Sequence, residues 1–164
     1  MTALPPTTTP TREFEAWEDI SELNPQLMRG IYGHGFEKPS PIQQKSILSI
    51  IDGRDVIAQA QSGSGKTGAF ATGVLNRVRL DLKQPQALII APTRELAKQI
   101  HDVVKDLGTQ MTGLNVQLLI GGTSTEDDLS DLKANGPQVL IGCPGRLHDI
   151  LRRQPAIGRG MQLL

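Results

Sequence analysis

The sequence predicts an α/β domain built as a three-layer parallel sheet, and two observations carry that prediction. Short apolar runs over 55–59, 87–91, 116–120 and 139–142 alternate with longer stretches of helical periodicity. That alternation belongs to a parallel sheet covered by helices on both faces. The first run also leads into Ala60-Gln61-Ser62-Gly63-Ser64-Gly65-Lys66-Thr67, of the form Ala-x4-Gly-Lys-Thr. A strand, a glycine-rich loop and a helix are the context of a phosphate-cradling P-loop. At 164 residues the chain is long enough for one domain that buries about 70% of its unfolded surface.

The elements follow in order. Residues 1–13, rich in Thr and Pro, hold almost nothing to bury and are expected to be disordered; order begins near Phe14 or Trp17. Asn24-Pro25 reads as an N-cap and a proline at the first helical position, with Gly33 or Gly35 ending that helix. Ser40-Pro41 repeats the signal for a helix over 41–51, which ends near Gly53. A strand over 55–59 and a helix over 66–80 flank the glycine-rich loop. Helices over 94–107, 125–134 and 145–152 follow the later strands. Ser124-x-x-Asp127 has capping-box spacing.

Composition excludes several classes. The chain has 17 basic and 17 acidic residues and a net charge of zero, which argues against binding polyanions by bulk charge. Any nucleic-acid contact is then local, with weak salt dependence. The single Cys143 rules out an internal disulfide and fits a reducing compartment. No apolar run approaches a membrane span, and the first residues lack the basic and apolar regions of a secretory signal. Aromatics are 3% of residues, so the core is expected to be aliphatic.

The chemistry concentrates at the expected carboxyl ends of the strands, where ligands sit in such sheets. Gly63 and Gly65 permit a tight turn with inward N–H groups, and the following helix N-terminus adds partial positive charge. Lys66 adds a full charge and Thr67 a hydroxyl for a magnesium ion. Three other segments fall at strand ends: Pro92-Thr93-Arg94-Glu95, Gly121-Gly122-Thr123 and Cys143-Pro144-Gly145-Arg146. A nucleotide hydrolase of this type also needs an Asp at a strand end to hold magnesium. None of the four strand ends carries one. The remaining candidate strand is Met161-Gln162-Leu163-Leu164, so the chain is read as ending inside or just before the strand that would supply the acid.

Several stretches together resemble the first RecA-like domain of the DEAD-box RNA helicases. They are Gly35-Phe36-Glu37-Lys38-Pro39-Ser40-Pro41-Ile42-Gln43 (the Q motif), Ala60 to Thr67 (motif I), Pro92-Thr93-Arg94-Glu95-Leu96-Ala97 (motif Ia), Gly121-Gly122, and Pro144-Gly145-Arg146 (motif Ib). The resemblance runs from about Trp17 to Leu164, and within the family it is to the translation-initiation branch. It implies a P-loop NTPase (RecA-like) domain over 14–164, incomplete at its C-terminus, because family members continue into the Asp-Glu-Ala-Asp box.

The resemblance also implies residue roles. Gln43 would select ATP over GTP, since a side-chain amide both donates to and accepts from an adenine edge. Phe36 would stack on the adenine face, or else pack as a core aromatic between helices. Trp17 would pack against this adenine site or serve only as an anchor. Ser62, Gly63, Ser64, Gly65, Lys66 and Thr67 would hold the phosphates of ATP, with Thr67 ligating Mg2+. Pro92, Thr93, Arg94, Gly121, Gly122, Cys143, Pro144, Gly145 and Arg146 would touch the RNA sugar-phosphate backbone. A surface salt bridge to Glu95 is the alternative for Arg94. Cys143 stands where the family usually has Thr, and a small packed residue is the favoured reading there. No residue of the chain is assigned a catalytic role. His34, His101 and His148 share no metal-ligand spacing.

The implied function is an ATP-dependent RNA helicase, most simply in translation initiation and cytoplasmic. Its partners would be ATP, single-stranded RNA and a translation-initiation scaffold protein, with the chain itself a monomer. A paralogue in splicing or ribosome assembly, which would admit a nuclear location, is the alternative. So is a non-catalytic ATP- and RNA-binding module. A P-loop kinase is more distant, because the chain shows no arginine-rich lid. The chain as it stands is expected to bind nucleotide without hydrolysing it.

Overall fold

The computed structural model describes residues 14–164; the tail expected to be disordered, 1–13, lies outside the described residues. Three parallel strands form one sheet: β1 (Ala87–Ile90), β2 (Val116–Leu119) and β3 (Val139–Gly142), in the order β1-β3-β2. β3 is central, with Val139 beside Ala87 on one edge and beside Val116 on the other. Among the described residues six helices accompany the sheet: α1 (Pro25–Gly33), α2 (Pro41–Ile51), α3 (Lys66–Arg77), α4 (Arg94–Leu107), α5 (Thr125–Asn135) and α6 (Pro144–Arg153). Two short 3-10 turns lie at Trp17–Asp19 and Pro155–Gly160.

The alternation of side chains along a strand sorts the core into two layers. Ala87, Ile89, Val139 and Ile141 join one cluster with Ile31 of α1, Ile47 of α2, Leu75 of α3 and Val104 of α4. Leu88, Leu119 and Leu140 join the other with Leu132 of α5 and with Leu147 and Ile150 of α6. Helices therefore cover both faces of a parallel sheet, and the core is aliphatic apart from Phe14 and the wholly buried Trp17.

Local chemistry starts the helices where the sequence places them. The Asn24 side chain accepts from the Gln26 N–H at 2.8 Å, with Pro25 at the first helical position. The Thr93 hydroxyl accepts from the Leu96 N–H at 3.2 Å, and Ser124 does the same for Asp127 at 3.3 Å. Each side chain satisfies a donor that a helix start leaves unpaired. Among the described residues no helix is long and apolar enough to cross a membrane.

Two expectations are corrected. The strand expected over 55–59 does not form. No backbone hydrogen bond joins it to the sheet among the described residues, and Ile57 stands fully exposed at 103%. Apolar composition drives burial but supplies no ladder partner, and a strand exists only through its ladder. The candidate strand over 161–164 reduces to one parallel bridge between Leu163 and Ala87. Around it, Leu88 N–H donates to the Leu163 carbonyl at 3.0 Å and Gln162 N–H to the Gln86 carbonyl at 2.8 Å.

Candidate functional site

The glycine-rich loop takes the backbone form its sequence demands. Gly63 and Gly65 have φ of 76° and 93°, the left-handed region where a Cβ is strained. Gly65 caps α3. The N–H groups of Gly63, Gly65, Lys66 and Thr67 have no acceptor among the described residues, whereas Ser64 N–H turns inward to the Gln61 carbonyl at 3.3 Å. The Ser64 hydroxyl is buried with no hydrogen-bond partner. Lys66 folds back, its Nζ donating to the carbonyls of Ala60 at 2.5 Å and Gln61 at 2.7 Å. The loop thus gathers one cation, several free amide donors and an orphaned hydroxyl at the start of one helix. This is the donor set that binds an anion.

The N-terminus of α2 is tied directly to this loop. Ser40 Oγ donates to the Ser64 carbonyl at 2.9 Å, and Gln43 Nε2 donates to the Gly65 carbonyl at 3.3 Å. Gln43 Oε1 accepts from the Ser40 N–H at 2.7 Å. One amide therefore holds both a helix start and the phosphate loop. Each end of that amide has two hydrogen-bonding positions, so one donor and one lone pair remain. Gln43 itself is 2% exposed.

Phe36 is half-buried and lies over the start of α3: a Cβ placed on Gly68 would come within 2.6 Å of its ring. Trp17 does not reach a surface. Its indole N–H donates to the Phe36 carbonyl at 2.8 Å, which anchors the segment from behind. Beside the loop opens a cleft of about 810 Å³, lined by Lys66, Thr67, Val56, Ile57, Ile90 and Leu96. Phe36 and Gln43 are not among its walls and approach the loop from outside it. Ser62 is exposed on the loop.

The remaining site residues gather at one edge, because parallel strands put all their carboxyl ends together. Pro92, Thr93 and Arg94 follow β1 and are exposed. The Arg94 guanidinium lies across the glycine pair: a Cβ on Gly121 would meet it at 2.9 Å and one on Gly122 at 3.3 Å. Arg94 makes no ion pair with Glu95 or any other described residue. Pro144 and Gly145 open α6 and are exposed, while Cys143 is half-buried against the core.

Arg146 is not a free surface cation. Its guanidinium donates to Asp128 Oδ2 at 2.7 Å and to the Thr123 carbonyl at 2.6 Å, and it is nearly buried. It stitches α6 to α5 and to the glycine pair. Burial pushes the Asp128 carboxyl up; Arg146 pulls it back only in part, against Asp131 and Asp127. Outside this pair, Arg153 bridges Asp149 at 3.1 Å and Glu126 at 2.8 Å. The Arg153 bond holds Asp149 below the usual carboxylate range; Glu126 is held down first by its own backbone N–H and then by Arg153.

Sequence reasoning missed three contributors. Ser40 was legible, since Ser40-x-x-Gln43 has capping-box spacing. Gly68 carried a weaker signal, because a glycine inside a helix is costly and needs a packing reason. Asp128 had none, since its partner is 18 residues away.

The comparisons with known proteins agree with this geometry. The family model described as DEAD/DEAH box helicase matches residues 40–163. The chain is 52% identical over 136 residues to the ATP-dependent RNA helicase eIF4A of Botryotinia fuckeliana, covering 83% of this chain and 34% of that protein. It is 50% identical over 145 residues to the eIF4A of Pyricularia oryzae, covering 88% and 36%. Its fold is similar to a solved DEAD box protein from Methanococcus jannaschii, with a TM-score of 0.79 at 31% identity, covering 87% of this chain and 38% of that one. It is also similar to Saccharomyces cerevisiae Dbp5, solved with Gle1 and IP6, with a TM-score of 0.75 at 35% identity, covering 87% and 35%. The chain spans about a third of the length of the curated relatives it matches. On the family match over three-quarters of its residues, the chain belongs to the DEAD/DEAH box helicases.

Proposed function

We propose that residues 14–164 are the nucleotide-holding, N-terminal RecA-like domain of an ATP-dependent RNA helicase acting in translation initiation. The observation that carries this reading is the pair of bonds from Ser40 and Gln43 onto the Ser64 and Gly65 carbonyls. They join a base-reading element to a phosphate loop. The donor set fits a magnesium nucleotide: Lys66 and the free N–H groups of Gly63, Gly65, Lys66 and Thr67 would hold phosphate, and the Thr67 hydroxyl would ligate magnesium. Magnesium would supply charge neutralisation between phosphates. Phe36 would stack on adenine and Gln43 would read its edge. Thr93, Arg94, Gly121, Gly122 and Gly145 would contact the RNA backbone, with the Pro92, Cys143 and Pro144 backbone beside them. Arg146 would position the glycine pair rather than carry a phosphate, because its guanidinium is nearly buried between Asp128 and the Thr123 carbonyl.

The strand ends Ala91-Pro92, Ile120-Gly121 and Cys143-Pro144 offer no carboxylate, and on the proposed reading residues 14–164 would hold nucleotide without cutting it. The likeness to eIF4A proteins favours translation initiation over a splicing or ribosome-assembly role; a cytoplasmic setting and a scaffold partner would go with that role. Lys66→Ala tests the loop. Affinity for a fluorescent ATP analogue should fall about 10- to 100-fold, the worth of one or two charge-assisted hydrogen bonds, with no phosphate released by either form. Unchanged affinity removes the loop from the site.

A further inference from the structure

Phe36 sits in the short connection between α1 and α2, two residues after His34. Three neighbours bear on it. Trp17 holds its carbonyl, Gly68 leaves room for its ring, and the imidazole of His34 meets it nearly perpendicularly, centroids 4.7 Å apart at 81°. His34 caps the end of α1, its backbone N–H donating to the Gly30 carbonyl at 2.9 Å. Its own ring faces α4, with Nδ1 3.4 Å from Asp106 Oδ2. Arg29, Thr109 and Gln110 line the recess beside that pair. An edge-to-face aromatic contact has a preferred geometry, so a ring set between α4 and Phe36 favours one angle of the Phe36 ring.

We infer that His34 is a positioning residue for base recognition: placed beside Asp106, it sets the Phe36 ring for stacking while touching no nucleotide itself. The inference rests on the proposed adenine role of Phe36. It is separable from that role by comparing ATP with inorganic tripolyphosphate, which has the charges but no base. In the full chain, His34→Ala should weaken ATP about three- to tenfold, the worth of an aromatic pair, and leave tripolyphosphate unchanged. His34→Gln, which keeps a polar group toward Asp106 without a ring, should show the same loss. Phe36→Ala should weaken ATP alone, and adding His34→Ala to it should cost nothing more. Full ATP affinity in either His34 variant, beside a loss in Phe36→Ala, overturns the inference. So does an equal loss for tripolyphosphate, which marks a general structural defect. If Phe36→Ala itself leaves ATP binding intact, the stacking role has failed and the inference falls with it.

Discussion

Gln43 shows how one side chain can serve two structures. Its carbonyl oxygen caps α2 through Ser40 and its amide nitrogen holds the Gly65 carbonyl. Because the residue is buried, removing the amide leaves the Ser40 N–H without a partner, while the Gly65 carbonyl keeps the Ala69 N–H at 2.9 Å; such an unpaired group costs about 1–3 kcal/mol. Gln43→Ala should therefore lower unfolding free energy by that amount in urea, with the slope unchanged. A variant as stable as the parent would mean that water satisfies the Ser40 N–H. Lys66 illustrates a related economy: its cation rests on the loop's own carbonyls, and a phosphate would replace them. Spacing alone shows the Ser40–Gln43 bond, but neither the Gln43 contact to Gly65 nor the folding-back of Lys66.

At the scale of elements, α5 and α6 are held by two sets of charges that respond to pH in opposite directions. Asp128 is raised by burial. The folded state then binds its proton more readily than the unfolded one, so its ionisation subtracts stability as pH rises through and above the ordinary carboxylate value. Glu126 and Asp149 are lowered; their contribution is present above the unfolded value and is lost as pH falls toward the folded one. Arg146→Ala leaves Asp128 buried without its partner, with side chains that were only 9% and 12% exposed. It should cost about 3 kcal/mol, the low end for breaking a buried pair, and Asp128→Asn in the same chain should recover part of that loss. Additive losses measured by denaturation would show that the pair is not coupled. Capping residues and the 3.6-residue period made all six helices legible, with starts and ends near those observed. The 55–59 segment was misread because its apolar residues could not reveal whether a neighbouring strand exists.

For the whole molecule, alternation of short apolar runs with helices was enough to predict a covered parallel sheet, and the structure agrees in three strands of the four. Strand order was not legible, since it depends on contacts between elements far apart in sequence. The sheet collects Thr93, Arg94, Gly121, Gly122 and Gly145 at one edge without any net basic charge, consistent with geometric rather than bulk recognition of a phosphate backbone. Joining that edge to the P-loop is the central requirement of the proposed function, and it depends on the loop holding an adenine nucleotide. The most direct measurement is a calorimetric titration of the unaltered chain with ATP and with GTP, each with magnesium. ATP should bind about tenfold tighter than GTP, the worth of a side-chain amide reading the base. Equal affinity for the two nucleotides, or no binding of ATP, would contradict it.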